Sequence, residues 1–303
     1  MKAKRNDIIT GCLCSLGCET LYGLSFMFTK QATELASPLA LVGWRFLVAV
    51  VVMSLCVMFG FIKINLKGKS LKPLLLVSLF SPSIYYITET IGISSTTASE
   101  SGVVLACIPV TSLLASTLIL KKKPFKLQIV GIAVTLIGVL ITVAAVGTTS
   151  SLSFVGYFSL FAAVISYSLY CVFVDKASDY TGAEITYIML VVGALVYVVL
   201  AVAEAVVLGN AYELVTLPFI EWGFMKAILY QGIGCSVVAF FLSNIAIAKI
   251  GVNRTSSFIG VSTVVAIVTG AVLLKESFTL YQIVGAVIII GGVYIANAKI
   301  EEE

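Results

Sequence analysis

The sequence predicts an all-α membrane protein of ten transmembrane helices arranged as two inverted five-helix repeats. Three observations carry that prediction. Of 303 residues, 60% are hydrophobic and 11% charged, with a mean hydropathy of +1.11. An ordinary soluble domain carries about a quarter of its residues as Asp, Glu, Lys or Arg. The apolar residues fall into ten stretches, each close to the roughly 20 residues a bilayer crossing needs. The second half of the chain also repeats the first.

The stretches run about 8–29, 38–61, 73–93, 101–120, 127–146, 154–174, 183–208, 224–248, 255–274 and 280–298. Lipid forces each into a helix, because backbone groups left unsatisfied in hydrocarbon are costly. The connections are too short to fold alone, so one integrated membrane domain is expected, its halves being 1–148 and 149–303. Lys2, Lys4 and Arg5 ahead of the first stretch imitate a signal peptide. The apolar run continues to about Phe28, too long for a signal core, so an uncleaved first helix is expected.

Orientation follows from the basic residues. Alternating the stretches across the bilayer puts Lys2, Lys4, Arg5, Lys63, Lys67, Lys69, Lys72, Lys121, Lys122, Lys123, Lys126, Lys176, Lys249, Arg254 and Lys299 on one side. Only Lys30, Lys226 and Lys275 fall on the other, and Arg45 lies within a stretch. The rich side is the cytoplasm, and both termini lie there, in a multi-pass protein of the cytoplasmic membrane.

Sliding residues 89–139 by 154 positions lays them on 243–293 without a gap. Gln128-Ile129-Val130-Gly131 meets Gln282-Ile283-Val284-Gly285, and Gly138-Val139 meets Gly292-Val293. Five crossings per half is odd, so the second half enters the bilayer from the opposite face. Such inverted repeats underlie alternating access, and transport is the function this parity favours over plain duplication. The glycines at 131, 138, 285 and 292 recur at seven-residue spacing, which suits close helix packing.

Composition also excludes chemistry. There is no histidine, hence neither the commonest metal ligand nor the usual general base, and no zinc, P-loop or nucleophile-elbow motif occurs. The seven cysteines all sit in apolar runs and read as free buried hydrophobes. No cofactor, metal or nucleic-acid partner is expected; the partners are lipid, a small-molecule substrate, and a proton or exchange substrate. A passive channel or a non-transporting receptor is the alternative. An intramembrane enzyme ranks last, because no pair of intramembrane aspartates offers an acid/base dyad.

Ordered motifs carry a family resemblance. Tyr22-Gly23-Leu24-Ser25-Phe26-Met27-Phe28-Thr29-Lys30 resembles the first-helix signature of the EamA-like branch of the drug/metabolite transporter superfamily. Trp44-Arg45-Phe46-Leu47-Val48-Ala49 is similar to its second-helix arginine motif. Pro109, Leu118 to Lys122, Gln128 and Gly131 resemble its helix 4–5 junction, with Leu273-Leu274-Lys275-Glu276, Gln282 and Gly285 the same junction in the second half. Tyr22 stands where the family usually has tryptophan, and the counterpart of Pro109 is Thr263. The resemblance implies a ten-helix exporter or exchanger of small metabolites, often amino acids. Its central cavity would be lined by the first, third, fourth, sixth, eighth and ninth stretches.

Ionisable groups inside the membrane are the sharpest candidates, being expensive there. Glu19 lies roughly 16 Å along its helix, near mid-bilayer, and reads as a proton-coupling group or a ligand for a substrate amine. The alternative is a carboxylate neutralised by a fixed partner. Arg45, roughly 10 Å inside, reads as structural or gating: snorkelling beside Trp44, or bracing a neighbouring helix. Glu89 is expected to guard the cavity mouth or pair with Arg45. Glu184 and Glu204 sit near helix ends and read as solvated; Glu100 and Arg254 read as boundary or gating residues.

On the stretches that the resemblance assigns to the cavity, Tyr22 shares a face with Glu19. Ser166 and Tyr170 form an i, i+4 pair. Tyr85 and Tyr86 follow Pro82, which should kink its helix and free a backbone carbonyl. Gln231 and Asn244 are the strongest hydrogen-bonding groups of the eighth stretch. Glu19, Tyr22, Tyr86, Glu89, Ser166, Tyr170, Gln231 and Asn244 are therefore the candidate translocation residues, with Arg45, Pro82 and Pro109 structural or gating. Each polar side chain has interhelical hydrogen bonding as its alternative role.

Overall fold

A computed structural model of the chain describes residues 2–95, 104–105, 107–144, 153–273 and 280–297. Every element among them is a helix. They are α1 (Lys2–Thr33), α2 (Pro38–Met58), α3 (Lys72–Ser95), α4 (Ile108–Ile119), α5 (Lys126–Ala144) and α6 (Phe154–Lys176). Then come α7 (Gly182–Leu208), α8 (Ala211–Ile220), α9 (Trp222–Ile250), α10 (Val252–Ser257), α11 (Ile259–Leu273) and α12 (Leu280–Asn297). Six of them (α1, α2, α3, α6, α7 and α9) are long and apolar enough to cross a membrane. Glu100, Lys275, Glu276 and Lys299 lie outside the described residues.

Local chemistry sets the ends. Ser37 caps α2, its hydroxyl accepting from the Ala40 amide at 3.1 Å, with Pro38 in the first turn. Thr181 and Glu184 form a reciprocal capping box on α7, satisfying two N–H groups that the helix itself cannot. Gly209 and Gly251 stop α7 and α9 at φ +72° and +77°, a region that an L side chain resists. The bundle's outer surface is apolar, with Leu118, Val199, Val207, Val287 and Tyr294 among many exposed side chains. An apolar surface that extensive marks lipid contact.

Two features were not anticipated. The short helix α8 fills the connection left open between 208 and 224, and Trp44 donates its indole N–H to the Leu214 carbonyl there at 2.8 Å. The ninth stretch is two helices, α10 and α11, joined at Phe258. Glu184 is also not solvated. It is 2% exposed and ion-paired with Lys69 at 2.9 Å, because the capping box pulls it into the bundle end. Glu204 is half-buried and accepts a hydrogen bond from Ser37. All seven cysteines are free.

α3 breaks at Pro82, where Ser81 takes a non-helical φ of −138° and ψ of 120° and the turn widens over Leu79–Ile84. Proline removes one hydrogen bond and displaces the preceding turn, so carbonyls are left over. Tyr197 shares its hydroxyl proton between the Pro82 and Ser83 carbonyls at 2.9 and 2.8 Å, and Ser166 donates to the Phe80 carbonyl at 2.8 Å. Beside the break, Phe46 is fully buried against the rings of Tyr86 and Tyr197, at 5.5 and 5.3 Å.

α5 and α12 pack antiparallel through their glycines. A Cβ on Gly131 would stand 2.6 Å from the Gly292 carbonyl, and one on Gly138 2.8 Å from both the Gly285 carbonyl and the Ile289 amide. In the 154-residue register Gly131 corresponds to Gly285 and Gly138 to Gly292. Each glycine therefore meets the counterpart of the other. Other contacts are paired in the same sense: α1 packs on α9 as α6 packs on α3, and α1 on α11 as α6 on α4. Because the obstructing atoms are backbone, Gly138→Val is expected to lower stability by about 1–3 kcal/mol, read as a depressed unfolding midpoint in detergent. An unchanged midpoint would contradict this packing.

Candidate functional site

One stripe of α1 supplies the floor of a central cavity. Glu19, Tyr22, Ser25 and Thr29 follow one another at three- and four-residue steps, so they share a helix face. All four line a cavity of about 930 Å³, its open mouth included. Arg45 of α2, Tyr85, Tyr86, Glu89 and Thr90 of α3, Ile108 of α4 and Tyr167 of α6 close one side. Gln231 of α9 and Ile259, Ser262 and Thr263 of α11 close the other. The cavity occupies the half of the bundle that holds the α1–α2 connection. Leu105 and Ile259, and likewise Ile108 and Ser262, are counterparts in the repeat register, and all four line this one space.

Arg45 does not snorkel. It is 5% exposed and braces three helices. Nε donates to Ser236 Oγ at 2.7 Å, Nη1 to Gln231 Oε1 at 3.4 Å and Nη2 to the Tyr86 hydroxyl at 3.1 Å. Its guanidinium carbon stands 4.2 Å from the Tyr86 ring centroid, an additional cation–π attraction. Gln231 passes the chain on to Thr29 at 3.0 Å. This network aims one positive charge into the cavity and fixes its position.

The carboxylates are held differently. Glu19 is 4% exposed and lines the cavity together with Ser262. Glu89 accepts from the Tyr85 hydroxyl at 2.6 Å. The expected pairing of Glu89 with Arg45 is not formed. Among the described residues the ion pairs are Lys69–Glu184, Lys122–Asp175 and Lys249–Asp7, all at the opposite end from the cavity. Among the described residues, Glu19 and Glu89 thus stand in the cavity without an ion-paired cation.

Of the sequence candidates, Glu19, Tyr22, Arg45, Tyr86, Glu89 and Gln231 come together in the cavity. Ser166, Tyr170 and Asn244 do not line it. Ser166 satisfies the carbonyl freed at the α3 break. Tyr170 donates to Asn244 Oδ1 at 2.8 Å, and Asn244 to Thr186 Oγ1 at 2.9 Å, tying α6, α9 and α7 together. Pro82 forms the break, and Pro109 sits buried in the first turn of α4. Sequence reasoning missed Ser25, Thr29, Tyr167 and Ser262. The first two continue the Glu19–Tyr22 face and were legible from its spacing.

A helical bundle with an apolar coat and a polar, charged central chamber is the architecture of an integral membrane protein. The model of the EamA-like transporter family matches residues 9–144 and again 154–298, and the chain belongs to that family. It is 30% identical to "Uncharacterized transporter YcxC" of Bacillus subtilis, covering 93% of this chain and 91% of that one. It is 23% identical to "Probable amino-acid metabolite efflux pump" of Salmonella typhimurium, over 91% of this chain and 90% of that one. A solved crystal structure shares its fold with a TM-score of 0.75, over 94% of this chain and 97% of that one, at 16% identity. The protein is a multi-pass membrane transporter.

Proposed function

We propose that the chain is a secondary transporter that exports an amino acid or related small metabolite across the cytoplasmic membrane by alternating access. The observation that carries this reading is the charge set of the cavity: one fixed guanidinium and two carboxyls that, among the described residues, form no ion pair. A metabolite with both a carboxylate and an amine meets opposite charges there. Arg45 takes the carboxylate, and Glu19 takes the amine or the coupling proton. Tyr22, Tyr86, Glu89 and Gln231 complete the first contacts. The charged residues all come from the first half, while the second half contributes hydroxyls, an amide and apolar walls.

Ten crossings are formed by the six long helices together with α4, α5, α10–α11 and α12. The halves 1–148 and 149–303 are inverted repeats, a reading supported by the reciprocal glycine packing of α5 on α12 and the doubled family match. With the lysine-rich ends and both termini in the cytoplasm, the cavity opens outward. The cytoplasmic side is closed by the Tyr170–Asn244–Thr186 chain and the three ion pairs, each of which joins one half to the other. Exchanging the conformations of the two halves would open that side instead.

Counterflow in proteoliposomes tests this. Vesicles loaded with unlabelled amino acid should accumulate labelled amino acid transiently and saturably. Voltage-driven currents that do not saturate would contradict a carrier and favour a channel.

A further inference from the structure

We propose that the segment Tyr230–Ala239 of α9 is the second hinge of the transport cycle, and that Ser236 within it is a positioning residue coupling that hinge to the occupancy of Arg45. The hinge presupposes the alternating access proposed above, and the coupling presupposes Arg45 as the ligand of the substrate carboxylate. Over these ten residues α9 is π-helical, as α3 is over Leu79–Ile84. Wide turns of this kind gather at functional sites and are places where helices bend.

The two segments coincide in the repeat. Carrying the 154-residue register back along both helices lays 79–84 on 233–238, and Pro82 on Ser236. The helix ends agree with it, since Ser95 maps to Lys249, one residue short of Ile250. The segments differ in how far they have bent. α3 is broken, with Ser81 out of the helical region and Pro82 at the break. α9 has no proline in its segment, and its backbone is helical on both flanks, at Leu229 (φ −65°, ψ −48°) and Phe240 (φ −59°, ψ −45°). Exchanging the conformations of the two halves requires α9 to take the form that α3 has now.

Each segment is held at the same place by the second long helix of the opposite half. From α7, Tyr197 donates to the Pro82 carbonyl at 2.9 Å. From α2, Arg45 donates to the hydroxyl of Ser236, the counterpart of Pro82, at 2.7 Å, and to Gln231 of the same segment at 3.4 Å. Gly232 lets the segment come this close, for a Cβ there would stand 3.0 Å from the Arg45 carbonyl. The braces differ in what can reach them. Tyr197 is fully buried on backbone groups, whereas Arg45 lines the cavity. Ser236 is fully buried and does not line the cavity, so it acts on a substrate only through Arg45. Breaking α9 at Ser236 would carry its hydroxyl away and loosen the guanidinium. The carboxylate site is complete in one conformation and loosened in the other, and by reciprocity an occupied Arg45 biases α9 toward the unbroken form.

The test places Ser236→Ala, Ser236→Thr and Ser236→Pro in the full chain. Amino-acid counterflow in proteoliposomes gives one readout; thiol labelling of Ser25→Cys from each membrane face, in a chain without its native cysteines, gives the other. Ser236→Ala should raise the half-saturating amino-acid concentration about tenfold, as loss of one hydrogen bond to a charged group does, with a smaller effect on the maximal rate. Ser236→Thr keeps the hydroxyl and should recover most of that affinity. Ser236→Pro should shift labelling toward the cytoplasmic face, because its ring clashes with the carbonyl of Gly232 one turn back. Should the proline variant not fold, Ser236→Ala carries both readouts, with a smaller shift in the same direction. A parent that labels from both faces while half-saturation and labelling ratio stay put in the variants would overturn the hinge and its coupling alone. So would a lowered unfolding midpoint with neither readout moved, which would leave Ser236 a structural residue. A parent without counterflow, or labelled from one face only, would overturn alternating access and the hinge with it.

Discussion

Glu19→Gln should leave expression and thermal stability intact while reducing transport about 10- to 100-fold and flattening its dependence on pH. The size follows from a hydrogen bond to a charged group, worth about 1.5–3 kcal/mol, made with the substrate amine or the coupling proton. Stability should hold because an amide of the same shape is cheaper to bury than a carboxylate. The titratable groups around Glu19 are Cys18 on its own helix, Tyr85 on α3, and Tyr167 and Cys171 on α6, with Tyr22, Tyr86 and the second carboxyl, Glu89, lining the same cavity. Thiols and phenols ordinarily titrate above about 8, which leaves the carboxyls of Glu19 and Glu89 as the groups that change charge in the acid-to-neutral range, and Glu89→Gln as the variant that separates the two. Initial rates in proteoliposomes across a pH series check this. A variant with unchanged rates and an unchanged profile would contradict the role.

Arg45→Gln should cost both stability and transport. The guanidinium serves Ser236, Gln231 and Tyr86 at once, and removing it orphans three buried groups. Each orphan costs about 1–3 kcal/mol, so a loss of about 3–5 kcal/mol is expected after partial rearrangement. Arg45→Lys separates the two functions. It keeps a cation but not the planar fork that reaches three partners, so part of the stability should return while transport stays depressed. Unfolding midpoints and counterflow on the same preparations read the two effects. A lysine variant with full transport would show that charge alone suffices and that the brace is dispensable.

Much of the fold was legible because lipid narrows the choices. The apolar stretches coincide with helices wherever the structure describes them, and the seven-residue spacing of Gly131, Gly138, Gly285 and Gly292 signalled the close packing that α5 and α12 show. Helix α8 escaped because ten residues carrying Pro218 have neither the length of a crossing nor the polarity of a loop. The cavity was legible wherever a charge had no cheap place to go. Glu19, Arg45 and Glu89 all face it, because only a wet or hydrogen-bonded interior accepts them.

Neutral polar residues were another matter. On α6 the sequence offers Ser166, Tyr167 and Tyr170, and nothing in their spacing tells which face meets the cavity. Tyr167 lines it, whereas Ser166 and Tyr170 are consumed by a backbone carbonyl and by Asn244. Hydroxyls and amides find partners between helices as readily as in a cavity. Their roles depend on rotations of a few tens of degrees that composition does not encode. Arg45 read as a snorkelling residue or as a brace on a neighbouring helix, and the arrival of Gln231 and Ser236 from a helix nearly 190 residues away decides for the brace.

The account rests on a chamber around Glu19 that faces the two sides of the membrane in turn. The most direct test places a single cysteine at Ser25, inside that chamber, in a chain whose seven native cysteines are replaced. Labelling with a membrane-impermeant thiol reagent is then compared in right-side-out and inside-out vesicles. Alternating access predicts modification from each face, with saturating substrate slowing both. Modification from one face alone, whether or not substrate is present, would contradict it.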